Sequence, residues 1–572
     1  MIKKTLLIFL PFIYLHLTGT AQNIIQSREY PKNYFRYPLD LPPSTAGGFA
    51  ELRPNHFHAG LDFRTNQQSG YPVHAAADGY ISRIRVQFGG GGNIVYVTHP
   101  NGYTTVYMHN ERFSPEITKV LRNYQYQNQV FEVDFKLPPG QINVCKGDVI
   151  ATSGSTGAVA GPHLHFEIRD TQTEETINPQ LFGIIIPDRV PPSITGISVY
   201  HLDQKPFSEK TKHEFLRVAG AAGKYHLAKP ALINLSGYIG FGISANDMNS
   251  ASANHNGVYS VELKLDGKTV YTYVAERFAF DETHAINAYI DYPQHVATGR
   301  FVQKCFILPG SKISLYPQSV NRGILNFDDD NLHQVEFVVK DVMGNTSTLT
   351  TRVQSHIDAK PAIIQLPLGT LFHYDQKNDF DNSSVHVSIA PGNLYDDLDF
   401  TYSNSPMLPG GYSVVHHIHN RFTPVHDSYD LWIKLDKDPG KYAGKTVIVS
   451  TNGDCELSTY QYGMVKTQAK TFGDFYIKLD TIPPHIVPIN ISNGRSMALA
   501  HNIALKIGDN LSGIKSYNGK IDGKWVLMEW DFKTKVLSYT FDKEITSGKH
   551  IFELTVSDNK DNISQYKADF YK

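Results

Sequence analysis

Apolar and polar residues alternate over short segments along most of the chain, the pattern of β-strands with one buried face. Residues 94–97 and 104–107 are two such segments, and the Asn101-Gly102 dipeptide between them favours a tight hairpin turn. Similar segments, separated by glycine, proline and asparagine, recur to the end of the chain. The pattern therefore predicts a mostly β protein.

One segment near the N-terminal end breaks this alternation. Ser114 is suited to cap a helix, Pro115 to occupy its first position and Glu116 to stabilise its first turn. We predict a helix over about 114–127, within an insertion of about 114–137 that separates two parts of an antiparallel sheet.

A chain of 572 residues is too long for a single hydrophobic core. Its later part contains a weak internal sequence repeat. Asp188 and Asp480 each open a segment with a Pro-Pro pair three residues on, and similar turn phrases that begin at Asp341 and Asp558 close the two segments. This repeat predicts two immunoglobulin-like β-sandwiches. The predicted units are a first domain at 22–188, a sandwich at 189–355, a β domain of unknown role at 356–479 and a sandwich at 480–572.

The composition narrows the function classes. Aromatic residues make up 12% of the chain, which suits strands, and a formal net charge of -2 gives no indication of a nucleic-acid partner. The three cysteines, Cys145, Cys305 and Cys455, fall in separate units and are not expected to form a disulfide framework. We expect them to be isolated buried thiols.

The first residues have the character of an export signal. Lys3 and Lys4 precede an apolar run at 6–17, and small residues follow at 19–21. We predict a signal peptide at 1–21, an exported protein of the periplasm or cell envelope, and no membrane span after cleavage. An uncleaved membrane anchor is the alternative.

Two short motifs contain the chemistry that the chain can perform. His58 and Asp62 lie in one, and His163 and His165 in the other. Two histidines and an aspartate can hold Zn²⁺ and leave its fourth position open for water. A further histidine, at position 163 or 109, is then free to move protons, which indicates metal-assisted hydrolysis.

The spacing of each motif limits its geometry. Strand alternation places His163, His165 and Glu167 on one face, with neighbouring imidazoles roughly 6–7 Å apart. His58 and Asp62 would be about 13 Å apart on a straight strand, so a bend is required between them, and Gly60 is the expected place. His56 shares the alternation of His58 and is the alternative ligand.

These motifs strongly resemble those of the lysostaphin/LytM-type zinc metallopeptidases. The resemblance covers the first third of the chain in ordered blocks: Glu51-Leu-Arg-Pro-Asn-His-Phe-His-Ala-Gly-Leu-Asp-Phe, Tyr71-Pro-Val-His, Asn93-Ile-Val-Tyr-Val-Thr-His-Pro-Asn-Gly, Tyr107-Met-His and Ser153-Gly-Ser-Thr-Gly-Ala-Val-Ala-Gly-Pro-His-Leu-His-Phe-Glu. It implies an antiparallel catalytic sheet of the duplicated hybrid motif type. It also implies that His58, Asp62 and His165 are zinc ligands, that His163 is the general base and that His109 stabilises the transition state.

The resemblance further implies an endopeptidase acting on the stem peptides of bacterial peptidoglycan. Cross-links between D-Ala and diaminopimelate are the favoured substrate, and glycine bridges are the alternative. Two other functions stay open: a degenerate, non-catalytic activator of cell-wall hydrolases, and an envelope scaffold whose C-terminal β domains bind an envelope protein partner.

Several other residues have a structural or a functional interpretation. His74 and His99 are expected to be structural, while Glu167 either orients a ligand or is a solvated strand residue. Residues 89–92 are four glycines without the Lys-Ser/Thr of a phosphate loop, and we expect a hairpin tip that lines the cleft. Residues 154–157 are expected to form the turn before His163, and the acidic run 328–330 to be a solvated loop in preference to a Ca²⁺ site. We also hypothesise that the helical insertion borders or gates the groove.

Overall fold

The computed structural model describes residues 24–203, 205–229, 232–250, 253–357 and 369–572. The predicted signal peptide at 1–21 lies outside these ranges. Within them the protein is mostly β, as the alternation predicts. No helix in the described ranges has the length and apolar character needed to cross a bilayer.

The first domain is built on an antiparallel sheet whose path runs β1-β4-β13-β8-β7-β6-β10. Two shorter ladders, β5-β12-β9 and β2-β3, complete it. The strands are β1 Thr45–Gly47, β2 Leu52–Arg53, β3 His56–Phe57, β4 Leu61–Arg64, β5 Pro72–His74, β6 Gly79–Val86, β7 Asn93–Thr98, β8 Tyr103–Met108, β9 Arg112–Phe113, β10 Val133–Lys136, β11 Asn143–Val144, β12 Val149–Thr152, β13 His163–Asp170 and β14 Thr176–Ile177.

The predicted helix is confirmed as α1, Pro115–Asn128, between β9 and β10. Ser114 occupies its N-cap position and Pro115 its first turn, although the Ser114 side chain makes no capping bond. Ile117, Leu121 and Gln125 are the buried side chains of the helix. Because these side chains are four residues apart, they form a single stripe along the buried face of the helix. The opposite face of the helix is available for other contacts.

The second unit contains thirteen described strands, and all but β22 form one twelve-stranded sheet system with the path β23-β19-β15-β16-β17-β27-β26-β20-β21-β24, in which β17 and β18 pair with β27 in parallel. Its strands are β15 Ser193–His201, β16 Lys212–Ala221, β17 Lys224–Leu227, β18 Leu232–Leu235, β19 Gly237–Asn246, β20 Ser260–Leu265, β21 Lys268–Val274, β22 Arg277–Phe278, β23 Gln303–Lys304, β24 Gln318–Ser319, β25 Leu325–Phe327, β26 Leu332–Lys340 and β27 Thr346–Ser355. Short helices α2, Ile286–Tyr289, and α3, Tyr292–Thr298, follow β22.

This second unit is continuous with the sheet of the first domain. Strand β22 pairs with β14 instead of the other second-unit strands, and so extends the first domain's sheet. The ring of Phe278 packs 5.8 Å from Phe57 and 5.3 Å from Phe49. One hydrophobic core includes buried residues of both units, from Tyr30 to Val353, together with Tyr395 of the third unit. The two units are therefore one packing unit.

The third and fourth units have separate cores. The third contains two five-stranded sheets, β29-β30-β34-β38-β37 and β32-β33-β39-β35-β36, and the fourth a four-stranded and a five-stranded sheet, β40-β42-β46-β45 and β41-β48-β47-β43-β44. The strands are β28 Thr370–Phe372, β29 Asn378–Asp381, β30 Val385–Ile389, β31 Leu398–Phe400, β32 Tyr402–Ser405, β33 Val415–Ile418, β34 Tyr429–Lys434, β35 Thr446–Ser450, β36 Cys455–Glu456, β37 Ser458–Gln461, β38 Met464–Ala469, β39 Gly473–Leu479, β40 His485–Pro488, β41 Arg495–Ser496, β42 Asn502–Gly508, β43 Ile514–Ile521, β44 Lys524–Val526, β45 Glu529–Asp531, β46 Val536–Thr540, β47 Lys549–Asp558 and β48 Ile563–Tyr571.

The fourth unit folds back onto the first domain. Arg122 on α1 forms an ion pair of 2.6 Å with Glu529, and Tyr126 donates to Asp542 at 2.9 Å. The ring of Phe88, at the β6–β7 turn, packs edge-on against Trp530 with 5.2 Å between ring centroids. The helical insertion therefore provides the surface on which the C-terminal domain docks.

The cysteines differ from expectation. All three are free thiols, but only Cys305 is buried, whereas Cys145 is exposed and Cys455 is half-buried. The expectation of buried thiols is therefore wrong for Cys145, which lies on an exposed turn between β11 and β12.

The shared core leads to a prediction about truncation. A fragment of residues 22–188 lacks β22, so the side chains of Phe57 and Phe49 lose part of their cover. Full burial of one such side chain stabilises the folded state by about 1.5–3 kcal/mol. We expect this fragment to be insoluble or to melt well below a fragment of residues 22–357. Thermal unfolding of the two fragments followed by circular dichroism tests this. Equal melting temperatures would contradict a shared core.

The docking contact leads to a second prediction. Phe88→Ala removes aromatic contacts worth about 0.5–1.5 kcal/mol each, and Arg122→Glu adds a like charge opposite Glu529. We expect the double variant to loosen the C-terminal domain, which would increase the radius of gyration in small-angle scattering and the acrylamide quenching of tryptophan. The control Tyr462→Ala/Lys441→Glu makes the same changes at exposed sites outside this contact, and matching results for the two variants would argue against docking in solution.

Candidate metal centre and active site

Three neighbouring strands bring the sequence motifs together. Strand β13 lies between β4 and β8, with His165 in register with Asp62 on one side and with Met108 on the other. His109 follows Met108 directly, with a positive φ of 64° that turns the chain out of the sheet. The predicted face of β13, with its histidines and Glu167, therefore points into a site flanked by Asp62 and His109.

The expected bend between His58 and Asp62 lies at Gly60, between β3 and β4. A Cβ atom on Gly60 would lie 2.3 Å from the carbonyl oxygen of Phe166, so only glycine fits this close approach. The bend brings His58 Nε2 to 3.0 Å from Asp62 Oδ1, although the two residues would be far apart on a straight strand.

His58, Asp62 and His165 form a buried cluster. His165 Nδ1 lies 2.9 Å from Asp62 Oδ1 and 2.9 Å from His58 Nε2. The three donor atoms lie close enough to one another to hold one metal ion. Exposed His56 is directed away, with its Nδ1 3.0 Å from the carbonyl oxygen of Pro54.

Outer hydrogen bonds fix which ring nitrogens of the two ligand histidines face the cluster. His58 Nδ1 lies 2.7 Å from the carbonyl oxygen of Gly48, which can only accept, so this nitrogen carries the proton. His165 Nε2 lies 2.9 Å from the carboxylate of Glu167 and donates to it in the same way. When both rings are neutral, His58 Nε2 and His165 Nδ1 therefore direct lone pairs toward Asp62 Oδ1.

Two lone pairs and a carboxylate oxygen within 3.0 Å of one another repel unless a cation or proton lies between them. Ligand atoms about 2.0–2.1 Å from a tetrahedral zinc ion lie roughly 3.3–3.4 Å apart, so these separations would need to widen by only about 0.4 Å. Nitrogen and carboxylate donors are the ligands that zinc accepts. The residues present fit the metal that the sequence predicts.

The close approach of these side chains shifts the pKa values of His165 and Asp62. Although burial opposes it, hydrogen bonds to Asp62 and Glu167 raise the pKa of His165 to about 9. Burial also opposes ionisation of Asp62, but the neighbouring imidazoles of His58, His163 and His165 hold the pKa of that carboxyl well below its usual range.

Arg53, Glu51 and Glu167 support the cluster and received no firm role from sequence. Arg53 donates to the second oxygen of Asp62, Oδ2, at 3.3 Å, and pairs with Glu51 at 3.0 Å. Glu167 is fully buried and also accepts from Arg169 at 2.5 Å, so it orients His165 and is not a solvated residue. Strand alternation had indicated Glu167, but no local signal singles out Arg53.

His109 and His163 face the same cleft from opposite sides, with ring centroids 4.8 Å apart. His109 Nδ1 donates to the carbonyl of Thr156 at 2.9 Å, and His163 Nδ1 donates to that of Gly161 at 2.9 Å. Both Nε2 atoms are then lone-pair acceptors, and that of His163 lies 3.4 Å from Asp62 Oδ1. Burial, reinforced by His165 and His163, lowers the pKa of His109 to about 3.

The histidines expected to be structural have structural contacts. His99 is buried, with its two ring nitrogens 2.8 Å from the carbonyl of Asp78 and 2.8 Å from the hydroxyl of Thr105. His74 bonds to the carbonyl of Gly147 at 2.7 Å and pairs with Asp40.

The glycine run 89–92 forms the β6–β7 turn beside the cleft. The carbonyl of Gly91 accepts from the backbone N–H of His109 at 2.9 Å, which holds that residue in place. Gly154 lies in the turn before β13, where it forms a bridge with His163. In the acidic run 328–330, Asp329 pairs with His333 on the surface.

Two other units contact residues that neighbour the site. Asn254 of the second unit hydrogen bonds to Arg64, the register partner of His163. Lys533 of the fourth unit donates to the carbonyl of Ser155 at 2.6 Å, next to the Thr156 carbonyl that orients His109. Phe280 of the second unit covers the guanidinium of Arg169 at 4.1 Å.

Comparison with known proteins finds matching families and relatives. The family model "Peptidase family M23" matches residues 56–179, and a model described as "Zu5-like domain" matches residues 369–480. An uncharacterized metalloprotease of Haemophilus influenzae is 34% identical over 151 residues, which are 25% of this chain and 26% of the relative. The peptidoglycan DD-endopeptidase ShyA of Vibrio cholerae is 30% identical over 168 residues, 27% of this chain and 31% of the relative.

A solved structure of a zinc-containing peptidase from Vibrio cholerae is 26% identical, covers 27% of this chain and 41% of that chain, and has a TM-score of 0.20. The chain thus spans less than a third of the length of the two relatives, and the likeness is to one domain. The lysostaphin/LytM-type resemblance predicted from the motifs is confirmed at this level: residues 56–179 are a peptidase family M23 domain.

Proposed function

We propose that this chain is an exported zinc endopeptidase that hydrolyses peptide cross-links in bacterial peptidoglycan. The convergence of His58 Nε2, His165 Nδ1 and Asp62 Oδ1 carries the proposal, because a buried cluster of three acceptors is suited to a cation. His58, Asp62 and His165 would hold zinc. Bound zinc would supply Lewis-acid activation of a water molecule and of the scissile carbonyl.

The side chains beside the metal ligands would move the protons. His163 is half-buried at the rim of the cleft, and its Nε2 is a free acceptor when Nδ1 donates to Gly161. It would take a proton from the attacking water and return it to the leaving amine. This is the general-base role that the resemblance implies.

The orientation of His109 sets a condition on its role. Its Nδ1 proton is engaged by Thr156, so the neutral ring presents a lone pair and not a donor to the cleft. His109 would donate to a developing oxyanion only after it gains a proton at Nε2. Before that point it would act as a second proton acceptor, which adds to the stabilising role that the resemblance implies.

The proposed substrate rests on the relatives and on the predicted export signal. One relative is named a peptidoglycan DD-endopeptidase, and the predicted export signal would deliver this chain to the periplasm or cell envelope. An extended stem peptide is favoured over a folded protein, because main-chain contacts of the β type can hold an extended peptide. Cross-links between D-Ala and diaminopimelate are the favoured bond, with glycine bridges as the alternative.

We further propose that the C-terminal β domains bind an envelope protein partner. Tyr462 and Leu499 are 93% and 96% exposed and lie in the third and fourth units. Exposed large apolar side chains are typical of protein contact surfaces, although single ones are common. Binding of residues 369–572 to envelope extracts, compared with Tyr462→Ser/Leu499→Ser, would test this.

The first test concerns the metal. Asp62→Ala removes the carboxylate shared by both histidines, so zinc content should fall from about one per chain to near zero and peptidoglycan cleavage should be lost. Metal analysis of residues 22–572 and mass spectrometry of released fragments measure the two effects. Asp134→Ala, which removes a surface carboxylate of the same domain, should change neither.

The second test separates metal binding from proton transfer. His163→Ala should keep its zinc but lose about 10²–10⁴-fold in turnover, because it removes a proton acceptor and no metal ligand. His56→Ala, at the exposed alternative ligand, should keep both zinc and turnover. Zinc loss in His56→Ala would reassign the ligand, and a wild type with neither zinc nor cleavage would favour the non-catalytic activator.

A further inference from the structure

The two units that open at Asp188 and Asp480 contain the same three aspartates at the same three places. One precedes the Pro-Pro pair, one directly follows a strand, and one begins the turn between the last two strands of the unit. In each set the carboxylate oxygens lie within 4.8 Å of one another. The sets, called here the first and second triads, are Asp188, Asp247 and Asp341, and Asp480, Asp509 and Asp558.

The third aspartate of each triad is held by the same pair of bonds. Asn345 donates to Asp341 from its backbone N–H at 2.9 Å and from its side chain at 2.7 Å. Asn562 makes both bonds to Asp558 at the same two distances. The internal repeat in the sequence therefore extends to the three-dimensional structure, because two separate units position these carboxylates in the same way.

The cavity at the first triad contains two buried oxygen atoms that have no hydrogen-bond partner among the described residues. Asp247 and Asn256 are each only 7% exposed, and the Oδ1 atom of each makes no hydrogen bond. Asp188, Asp247 and Asn256 line one cavity. Asn256 is not part of the triad, so its unpartnered carbonyl is an independent indication that this cavity accepts a cation.

Among the described residues, no basic side chain forms an ion pair with Asp247. Burial and the repulsion of Asp341 and Asp188 raise the pKa of Asp247 to about 8. In the second triad, Asp480 and Asp509 each use Oδ2 to accept backbone N–H groups, and their Oδ1 atoms have no partner. Lys560 lies near this triad, but its ammonium donates to the carbonyl of Ser458.

We propose that the first triad, with Asn256, is a Ca²⁺ site and that the second triad is a repeat of it. Both sites offer only oxygen donors, with no imidazole or thiolate in the triad, and hard cations with flexible geometry prefer such sets. A zinc ion would instead prefer the histidine cluster of the catalytic site.

The first site lies directly behind the catalytic centre. Gly48 lines the same cavity, and its carbonyl oxygen orients His58. Asn249 of the second unit donates to Thr45 of strand β1 at 2.7 Å across this junction. Bound Ca²⁺ would fix the second unit against the β1 region that supports His58. This inference does not depend on the proposed peptidase activity.

Equilibrium dialysis with ⁴⁵Ca²⁺ tests the proposal on the zinc-saturated chain of residues 22–572 after calcium removal with EGTA. We expect two saturable sites of millimolar or tighter affinity. Asp247→Asn should lose one, Asp509→Asn the other, and the double variant both, since each change is isosteric and removes one charge. Ca²⁺ should raise the melting temperature of the wild type more than that of either variant.

Two controls distinguish other causes. Asp330→Asn changes a surface carboxylate in the same way and should keep both sites. Asp62→Ala disrupts the catalytic cluster and should also keep both, so failure of the peptidase proposal would not affect this result. Absence of saturable Ca²⁺ binding, binding unchanged in both Asp247→Asn and Asp509→Asn, or stronger binding of Mg²⁺ than Ca²⁺ would overturn the proposal. If Asp247→Asn fails to fold, Asp509→Asn and Asp188→Asn decide the outcome.

Discussion

The catalytic site depends on one electrostatic constraint, the meeting of two imidazole lone pairs with a buried carboxylate oxygen. The Gly48 carbonyl and the Glu167 carboxylate each hold a proton on the far side of a ring, so His58 and His165 cannot turn other nitrogens inward without losing a buried bond. Arg53 holds the other oxygen of Asp62. A cation relieves the resulting repulsion, which is the physical reason for a metal at this place.

The same constraint explains why the catalytic domain is not self-contained. Gly48 lies just after β1, and this region is packed against the second unit through Phe49 and Phe278. Phe280 covers Arg169, which in turn holds Glu167. The contacts that orient both ligand histidines thus extend into a neighbouring unit. The fourth unit adds a contact at Ser155, beside the carbonyl that orients His109.

The sequence predicted what local patterns and short motifs determine. Strict alternation placed His163, His165 and Glu167 on one face, the helix after Ser114 was predicted from its first three residues, and the bend at Gly60 was required by distance alone. The strands before the closing turns, β26 and β47, also lie where alternation placed them.

Long-range contacts could not be predicted in this way. The pairing of β22 with β14 joins residues about a hundred positions apart, and the docking of Glu529 on Arg122 joins residues 407 positions apart. Arg53 has no motif of its own, and the tautomers of His58, His109 and His163 follow from backbone carbonyls that no pattern of side chains encodes. The exposure of Cys145 follows from the turn in which it lies. The middle region offered no motif, although a family model matches residues 369–480.

The most direct test of the account is anomalous diffraction at the zinc edge from crystals of the zinc-loaded chain. The account predicts a single strong peak among His58 Nε2, Asp62 Oδ1 and His165 Nδ1, with Nε2 of His165 still bonded to Glu167. A peak held by His56 or by His163 Nε2, or a metal-loaded chain with no peak at this cluster, would contradict it.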